Sequence, residues 1–464
     1  DDEWVRITTL GCCREVGRAA FVLSTPETRI LIDCGDKPGA EGEVPYLQVP
    51  EGLGTGAATI DAVVLTHAHL DHSALLPLLY KYGYDGPVYT TEPTRDLMGL
   101  LQLDYLDVAA KEGRTPPYES EQVRETIKHT IPLEFGDVTD IAPDVKITFH
   151  NAGHILGSAV THFHIGDGLY NVAFSGDIHY EDTRLFNGAV NDFPRVETLV
   201  LESTYGGRND YQTDQADSER ALKRVINETY EDGGKVVIPA FAVGRSQEIM
   251  LVLEEAMREG DIPSMPVHLD GMIWEATAIH TTYPEYLRDD LRDRIFHEDA
   301  NPFLAEEFNH IDGGEDERQD VADGDQCIVL STSGMVEGGP IMSWLRHLGP
   351  DPDSTLVFVG YQAQGTLGRR IQNGWDEIPV SDWGNGGRGD TLSLEMGVET
   401  VDGFSGHADR QGLENFVKTM NPRPEKVLCV HGDERSVQDL SSALYHDYNM
   451  RTFAPKNLET FRFK

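Results

Sequence analysis

Cysteine is scarce in this sequence, with five among 464 residues and no Cys-x-x-Cys pair. An odd number without that spacing argues against a disulfide framework, so we interpret Cys12 and Cys13 as packing residues of a chain in a reducing cytoplasm. We find no run of about 18 apolar residues and no signal-peptide pattern, so we expect no membrane segment. The sequence opens at Asp1 rather than at methionine, from which we expect that an N-terminal part is missing.

Positive charge is also in short supply, because 38 Lys and Arg residues face 79 Asp and Glu residues, a net charge of −41. Lysine is the rarer cation, and the acid is spread along the chain rather than gathered in one tail. Such a surface repels itself and nucleic acid in ordinary salt, whereas molar salt shortens the screening length to ~3 Å. This pattern predicts a halophile that keeps a high salt concentration in its cytoplasm; a merely acidic enzyme is the alternative.

Short apolar segments between glycine turns predict strands in the first two hundred residues, for example 5–10 and 19–25, with a long helix over 92–113. After about residue 206, helices alternate with buried-type strands, a pattern typical of a parallel α/β domain. The polar, glycine-rich stretch 309–325 indicates a surface loop. The sequence therefore predicts an α/β protein of two domains, the first a layered arrangement of sheets and helices.

The segment THAHLDH at 66–72 is the strongest site signal. It follows an apolar strand-like run, and alternate side chains on an extended segment point the same way, so His67 and His69 can converge on one metal ion. Asp71 and His72 lie further along and can serve a second ion. Imidazole together with carboxylate suits Zn²⁺, and less specifically Mn²⁺ or Fe²⁺. A solvated loop that happens to be rich in histidine is the alternative.

Further ligand candidates follow other strand-like runs. His154 lies in the glycine turn NAGHILGSA, and Asp177 lies in FSGDIH. A carboxylate can bridge two metal ions, which an imidazole rarely does, so Asp177 is the natural bridge. Asp33, at the end of RILIDCG, is expected to support the ligand histidines by hydrogen bonds. A purely structural role is the alternative for each single His or Asp.

Four motifs together resemble the metallo-β-lactamase superfamily: LIDCG, THAHLDH, NAGHILGS and FSGD. LESTYGGR with Glu202, FSGHAD with His407 and VHGD with His431 resemble the three additional motifs of its β-CASP branch. IPAFAVGRSQE, STSGM and GYQAQGTLGRR add to a match that covers the whole chain. The closest resemblance is to archaeal relatives of the cleavage and polyadenylation specificity factor endonuclease, in which RNA-binding KH domains often precede the nuclease.

The resemblance implies an αββα sandwich, two β-sheets between helices, into which a parallel-sheet β-CASP domain is inserted. The metallo-β-lactamase domain would occupy residues 1–207 and 397–464, and the β-CASP domain residues 208–396. Two zinc ions per chain are also implied. One would be held by His67, His69, His154 and Asp177, and the other by Asp71, His72, Asp177 and His431.

The resemblance also implies that a histidine with a carboxylate partner delivers a proton to the leaving oxygen. The matching motifs identify this pair as His407 and Glu202, and Asp71 is expected to act in catalysis as well as in metal binding. An ordinary salt bridge for Glu202 and a capped turn for His407 are the alternatives. Turns of small residues and arginines in the second domain are candidates for RNA phosphate binding, with plain surface charge as the alternative for the arginines. These candidates are Arg245, Ser331, Ser333, Gly334, Gly365, Thr366, Arg369 and Arg370.

The function implied is a zinc-dependent ribonuclease in RNA 3′-end processing or transcription termination, with endonuclease and 5′→3′ exonuclease action both open. RNA and the transcription or RNA-processing machinery are the expected partners. A small-molecule ester or thioester hydrolase and an RNA-binding scaffold without catalysis are the rival hypotheses. The C-terminal TFAPKNLETFRFK is strand-like and has no obvious partner in the preceding helix, so we expect it to form a homodimer.

The charge predicts a salt requirement. The midpoint temperature of unfolding is expected to rise from low salt toward molar KCl, because screening removes the repulsion among the acidic side chains. RNA cleavage should improve over the same range, opposite to the usual loss of phosphate affinity with added salt. Thermal unfolding followed by circular dichroism checks this; greatest stability at low salt contradicts the halophile interpretation.

Overall fold

The computed structural model describes residues 3–39, 42–49, 54, 56–380 and 390–464. The chain divides into two compact units, and its strands and α-helices are numbered in chain order. The first unit contains Asp1–Tyr105, Pro117–Tyr211 and His407–Lys464, and the second contains Leu106–Pro116 and Gln212–Gly406.

Within the described residues, the first unit is built on two seven-stranded sheets. The strands of one sheet are β1 (Arg6–Thr9), β2 (Phe21–Ser24), β3 (Arg29–Ile32), β4 (Ala62–Val64), β5 (Val88–Thr90), β6 (Thr130–Pro132) and β22 (Thr460–Arg462). Their order is β22-β1-β2-β3-β4-β5-β6, antiparallel from β22 to β3 and parallel from β3 to β6. His67 and Asp33 therefore follow neighbouring parallel strands.

The strands of the other sheet are β7 (Thr139–Ala142), β8 (Val145–Asn151), β9 (Ala159–Ile165), β10 (Tyr170–Phe174), β11 (Thr198–Glu202), β20 (Lys426–Val430) and β21 (Arg451–Phe453). Their order is β21-β20-β11-β10-β9-β8-β7, parallel from β10 to β21 and antiparallel elsewhere. Asp177 and His431 follow β10 and β20, so the carboxyl ends of parallel strands bring them to one edge.

The sheets pack face to face on a shared apolar core, in which Phe174 contacts Phe21 and Phe163 with ring centroids 5.6 and 5.5 Å apart. Helices complete the layers. They are α1 (Leu70–Ser73), α2 (Leu76–Lys81), α3 (Glu92–Lys111), α4 (Ser120–His129), α12 (Arg410–Lys418) and α13 (Glu434–Tyr448). Leu413 of α12 and Leu440 of α13 belong to the core on the outer face of the second sheet. The predicted αββα arrangement is confirmed.

The second unit has a six-stranded parallel sheet and a short hairpin within the described residues. Its strands are β12 (Val236–Pro239), β13 (Val267–Asp270), β14 (Phe308–His310), β15 (Ile328–Ser331), β16 (Thr355–Phe358), β17 (Glu377–Val380), β18 (Asp390–Ser393) and β19 (Gly397–Thr400). Its helices are α5 (Gln215–Glu231), α6 (Arg245–Glu259), α7 (Ile273–Thr282), α8 (Asp289–Phe296), α9 (Gly314–Asp323), α10 (Ile341–Leu348) and α11 (Leu367–Gln372). The sheet order is β14-β13-β15-β12-β16-β19, and β12 and β15 are wholly buried, which explains their unbroken apolar sequence.

The prediction of a surface loop over 309–325 was wrong, because this stretch contains α9. No residue of α9 is buried, so the helix has no apolar stripe to give a sequence signal. Its first turn carries three acidic residues, which favour a helix N-terminus. Glu315 accepts hydrogen bonds from Ser343, and the Arg318 guanidinium donates to Asp270. The partly buried Val321 also packs against the apolar core of this unit.

The predicted domain boundary between 396 and 397 differs from the compact units. Strand β19 pairs in parallel with β16, and the second unit continues to Gly406. All four residues of β19 are exposed, so the segment lacks the buried pattern that reveals the other strands of this sheet.

The C-terminal segment has partners within the chain, and they lie on strands rather than on the preceding helix. Strand β22 pairs with β1, and the Phe463 ring stacks on Tyr170 at a centroid distance of 5.5 Å. Phe461 contacts Phe453 at 5.4 Å.

Within the described ranges, no helix is long and apolar enough to cross a membrane.

Candidate metal centre

The THAHLDH segment turns sharply from strand into helix. His67 lies just beyond β4 and is fully buried, His69 is the N-cap of α1, and Asp71 and His72 lie in its first turn. The turn packs directly on Gly35 of LIDCG, where a Cβ atom would lie 1.8 Å from the Asp71 carbonyl oxygen. A glycine at this position is therefore required for the turn to sit against β3.

One group of ligand-type atoms is formed by the histidines on one side of Asp177. The ring nitrogens of His67, His69 and His154 lie within 4.8 Å of one another. His154 Nε2 is 3.1 Å from His69 Nδ1, and Asp177 Oδ2 is 3.4 Å from His67 Nε2 and 3.7 Å from His154 Nε2. The four residues predicted to hold the first ion are thus brought together.

A second group shares the same carboxylate oxygen. Asp71, His72, Asp177 and His431 offer ligand atoms within 4.8 Å of one another. Asp177 Oδ2 is 3.2 Å from His72 Nε2. His431 Nε2 is 3.3 Å from His72 Nε2 and 3.1 Å from Asp71 Oδ2. Asp177 therefore lies between the two groups, where a bridge is predicted.

These separations fit zinc. With Zn–N bonds of ~2.0–2.1 Å in a tetrahedral site, neighbouring ligand atoms lie about 3.3–3.4 Å apart. The nitrogen–nitrogen distances of 3.1 and 3.3 Å between paired histidines are close to this edge length. Two neutral imidazoles can share one hydrogen bond at most, so four or more such groups packed together indicate a cation between them.

Two buried polar atoms support the same conclusion. Within the described part of the chain, His67 Nε2 and Asp177 Oδ1 are buried and have no hydrogen-bond partner. Buried polar atoms without a partner are costly and uncommon in folded proteins. Coordination of a metal ion would satisfy the imidazole nitrogen, so the residues present fit the ion that the sequence implies.

The electrostatics differ between the two groups. Burial, together with the neighbouring His407, lowers the pKa of His154 well below its usual value, which keeps this imidazole in the neutral, ligating form. Burial also lowers the pKa of His72, but the Asp177 and Asp71 carboxylates outweigh it and raise that pKa. Burial raises the pKa of Asp177, and the His431 and His72 rings outweigh it and lower that pKa. A cation would replace these protons.

Asp33 contacts both the neighbouring strand end and a candidate ligand histidine. Its Oδ1 accepts from the Thr66 backbone N–H at 2.8 Å, and its Oδ2 lies 2.7 Å from His72 Nδ1. Its backbone is left-handed, with φ 59°, a conformation that non-glycine residues rarely adopt. The carboxylate thereby orients the His72 ring toward Asp177.

Two threonines that the sequence analysis overlooked orient ligand histidines. Thr66 Oγ1 lies 3.0 Å from His67 Nδ1, and Thr204 Oγ1 lies 3.0 Å from His431 Nδ1. Each occurs inside a quoted motif, THAHLDH and LESTYGGR, so a polar residue adjacent to a site residue is the signal that could have found them.

His407 and Glu202 form the predicted pair. His407 Nδ1 lies 3.0 Å from Glu202 Oε1, and the buried carboxylate also accepts the backbone N–H groups of Ile178 and Thr204 at 2.9 and 3.2 Å. A ligand atom of His407 lies within 4.8 Å of those of His154 and Asp177. Burial lowers the pKa of His407, but Glu202 outweighs it and raises that pKa to about 9; a nearby cation would lower it again.

Two of the predicted phosphate-binding residues, Arg245 and Thr366, are buried and contact neighbouring residues of the second unit. Arg245 is buried, is ion-paired with Glu248 and donates to the Phe404 carbonyl at 2.8 Å. Thr366 is buried, caps α11 and donates to the Ala363 carbonyl at 2.7 Å.

Contacts of the other phosphate candidates are similar. Ser331 Oγ and Ser333 Oγ donate to the Thr332 and Gly338 carbonyls, and the Gly334 carbonyl accepts from Gln362. Gly365 has φ +87° with open space beside it. Arg369 donates to the Gln362 carbonyl, while the exposed Arg370 lies over the Trp375 ring. Phosphate binding by this set stays a prediction.

Three family models match the chain: the metallo-β-lactamase superfamily over residues 14–232, the β-CASP domain over 246–371 and the Zn-dependent metallo-hydrolase RNA specificity domain over 391–455. The transcription termination factor FttA of Methanosarcina mazei is 59% identical over 462 residues, which cover 99% of this chain and 72% of that protein. The chain belongs to the β-CASP family of the metallo-β-lactamase superfamily. The matched models identify a metal-dependent hydrolase and so indicate a metal cofactor.

Other β-CASP relatives and one solved structure extend the match. The proteins named transcription termination factor FttA from Methanothermobacter thermautotrophicus and Thermococcus kodakarensis are 52% and 50% identical, over 100% and 99% of this chain and 72% of each relative. A crystal structure of a protein of unknown function from Enterococcus faecalis V583 has a TM-score of 0.54 and 13% identity, over 99% of this chain and 100% of that one. This last likeness concerns the fold alone.

The position of Asp177 between the two groups predicts how metal content responds to its loss. The protein is expected to bind two zinc ions, and Asp177→Asn should lower the affinity for both, because each group loses its shared anionic ligand. Elemental analysis after dialysis at buffered free zinc measures this. Asp182→Asn, an exposed aspartate that accepts the Gly188 backbone N–H, is the control and should keep two ions. A variant Asp177→Asn that retains both at every zinc concentration contradicts the bridge.

Proposed function

We propose that this β-CASP protein is a zinc-dependent ribonuclease that cuts RNA phosphodiester bonds in 3′-end processing or transcription termination. Relatives named transcription termination factor, 50 to 59% identical over nearly the whole chain, support this role. The match to an RNA specificity domain over 391–455 supports RNA as the substrate.

The observation that carries the proposal is the single oxygen Asp177 Oδ2 between two groups of ligand atoms, 3.4 Å from His67 on one side and 3.2 Å from His72 on the other. Such a shared carboxylate is typical of a site for two neighbouring cations. The first ion would be held by His67, His69, His154 and Asp177, and the second by Asp71, His72, Asp177 and His431.

When bound, two such ions supply the acidity that makes water nucleophilic at neutral pH and offset the charge that develops on the phosphate. Residues of the chain bind the ions and orient the ligand rings. Asp71 would hold the second ion, because its Oδ2 lies 3.1 Å from the candidate ligand atom His431 Nε2, and its partly accessible side chain is expected to act in catalysis as well. Thr66, Thr204 and Asp33 keep the ligand rings at fixed angles.

The leaving oxygen needs a proton, and His407 is placed to provide it. Glu202 occupies Nδ1 of this ring, so the transferable proton is carried on Nε2. Glu202 itself is held by two backbone N–H groups and by His407, which fixes the ring and stabilises its protonated form. After the transfer the neutral ring takes up a proton from solvent water, and the Glu202 carboxylate stabilises the protonated form that results.

The two rival hypotheses are not favoured. A hydrolase of small esters or thioesters could use the same ligands, but the chain matches a β-CASP domain and an RNA specificity domain in addition to the metallo-β-lactamase fold. A scaffold without catalysis would not need all seven ligand-type positions filled, and all seven lie in the two groups.

RNA cleavage by wild type and two variants tests the function. Wild type should cut circular RNA, which has no ends and so reports endonuclease action, and a chelator should stop it. His407→Ala should lower the rate by ~10²–10⁴ while both zinc ions stay bound, since general acid catalysis contributes about that factor. Asp177→Asn should abolish cleavage. His129→Ala, which removes an imidazole beside Glu125 on α4, is the matched control.

A substrate with a 5′-thiolate leaving group separates proton delivery from positioning. This group needs little help from an acid, so it should restore much of the rate of His407→Ala and little of that of Asp177→Asn. Loss of a zinc ion in His407→Ala, or a thio substrate that restores nothing, would identify His407 as a ligand or a positioning residue instead. Uncut circles with wild type would leave only exonuclease action.

Dimer formation through the C-terminal segment is a further part of the proposal. Strands β21 and β22 are edge strands, and Arg451 and Arg462 on them are exposed. Removing the segment would also remove β22 from its sheet, so charge reversal is the cleaner test. The double variant Arg451→Glu, Arg462→Glu should give monomers in light scattering, whereas Lys146→Glu on β8 should not. An unchanged mass contradicts a dimer through this edge.

A further inference from the structure

The loop at residues 10–18, which we call the brace loop, contains the Cys12–Cys13 pair that the proposed function leaves without a role. Three of its non-glycine residues have left-handed backbones, with φ of 51° at Cys12, 56° at Arg14 and 44° at Arg18. Such residues are uncommon and persist only where surrounding contacts hold them. Gly11 closes the loop, since a Cβ atom there would lie 1.9 Å from the Arg18 carbonyl oxygen. The backbone of the brace loop is therefore held in an uncommon conformation by the residues around it.

The brace loop binds the backbone of one ligand residue. The Cys12 carbonyl accepts the His431 N–H at 2.7 Å, and the Glu15 carbonyl accepts the Gly432 N–H at 3.0 Å. His431 itself has a left-handed backbone, with φ 51°. Cys12 also lines the cavity that contains Asp33, His72, Asp177 and His431. The loop thus sets the conformation from which the His431 ring reaches the second group of ligand atoms.

Glu15 is the hub that holds the loop in shape. Its carboxylate is paired with Arg18, accepts from Lys37 Nζ at 3.0 Å and accepts from Asn457 Nδ2 at 3.0 Å. The side chain is 14% exposed, so solvent does little to compensate for a lost partner. Without this carboxylate, Arg18, Lys37 and Asn457 would each lose an acceptor. The turn that these contacts stabilise would then lose its support.

The C-terminal segment holds the loop from its other side. Asn457 Oδ1 accepts the Cys13 N–H at 3.0 Å, while its amide donates to Glu15. The Arg14 guanidinium donates to the Ala454 carbonyl at 2.9 Å. One side chain, Asn457, therefore connects the residues between β21 and β22 to both the backbone and the hub of the brace loop.

We propose that Glu15 and Asn457 are positioning residues for His431, so that occupancy of the metal site made by Asp71, His72, Asp177 and His431 depends on the brace loop and on the C-terminal segment. This inference rests on the proposed zinc centre. The His431 ring must keep Nε2 3.1 Å from Asp71 Oδ2 and 3.3 Å from His72 Nε2, and a displacement of about 1 Å is enough to disable such a site. Among the backbone hydrogen bonds of the described residues, none joins the brace loop to His67, His69 or His154, so the ion of that group should bind as before.

Zinc binding by Glu15→Gln and Asn457→Ala tests the proposal. Each protein is dialysed against a series of buffered free zinc concentrations, and bound zinc is measured by elemental analysis. Wild type should bind two ions. Each variant should need ~10–100-fold more free zinc for the second ion, the usual effect of removing a group that orients a ligand, while the first ion is unchanged. His431→Ala should lose the second ion altogether.

A matched control separates positioning from general destabilisation. Glu197 is also a nearly buried carboxylate of the first unit, which accepts the Asn171 N–H at 2.7 Å, and it follows no ligand motif. Glu197→Gln should lower the unfolding temperature about as much as Glu15→Gln and leave both zinc affinities unchanged. If Glu15→Gln fails to fold, Asn457→Ala, which keeps the hub carboxylate, carries the test.

The outcomes are distinct. Unchanged binding of both ions in Glu15→Gln and Asn457→Ala overturns the positioning role. Equal weakening of both ions, matched by Glu197→Gln, also overturns it, because a general loss of stability would then be the cause. Fewer than two zinc ions in the wild-type protein would instead refute the two-ion centre itself, and that result is obtained without any variant.

Discussion

Charge compensation around the Asp177 carboxylate is the interaction on which the rest of the first unit depends. A carboxylate with 2% exposure is costly to bury unless it is paired or binds a cation. Imidazoles from three separate segments surround it at 3.2 to 3.7 Å. Except for His154, which follows the antiparallel β8, they reach it because the sheets bring the carboxyl ends of their parallel strands to one edge. Asp33, His67, Asp177 and His431 each follow such a strand.

Backbone conformation at these strand ends is as important as the choice of side chains. Asp33 and His431 both have left-handed backbones, which strands do not favour. Each is stabilised by specific hydrogen bonds, from Thr66 to the Asp33 carboxylate and from the His431 N–H to Cys12. The unusual conformations turn side chains away from the strand direction and toward the shared carboxylate. These two uncommon backbone conformations cost some local stability, and they direct the side chains toward Asp177.

The acidic composition has a physical consequence for a protein proposed to cut RNA. A net charge of −41 repels a polyanion over the whole surface. Local cation binding at the candidate centre and the shortened screening length in concentrated salt are the two ways to offset that repulsion. Arg245 of the second unit does little to offset the repulsion, because it is buried and already paired with Glu248.

Much of the architecture could be predicted because its signals are local. The spacing of His67, His69, Asp71 and His72 within six residues predicted a two-part metal site, and buried strands such as β12 and β15 were visible as apolar runs. By contrast, α9 was missed, because a helix without a buried face has no apolar period to detect. The strand β19 was missed because all of its residues are exposed.

The sequence by itself determined most of the order of elements, the residue types of the candidate centre and the acidic surface, because each of these depends on residues that are close together in the chain. Only the tertiary structure decided which of those residues meet. The pairing of β22 with β1 joins positions about 450 residues apart, as the Thr8–Thr460 contact shows, and no local pattern encodes such a partner. The burial of Arg245 and the hold of Asn457 on Cys13 and Glu15 are likewise products of packing. Hydrogen bonds between distant segments form only where folding brings their atoms within 3 Å or so of each other, and that geometry depends on the whole chain.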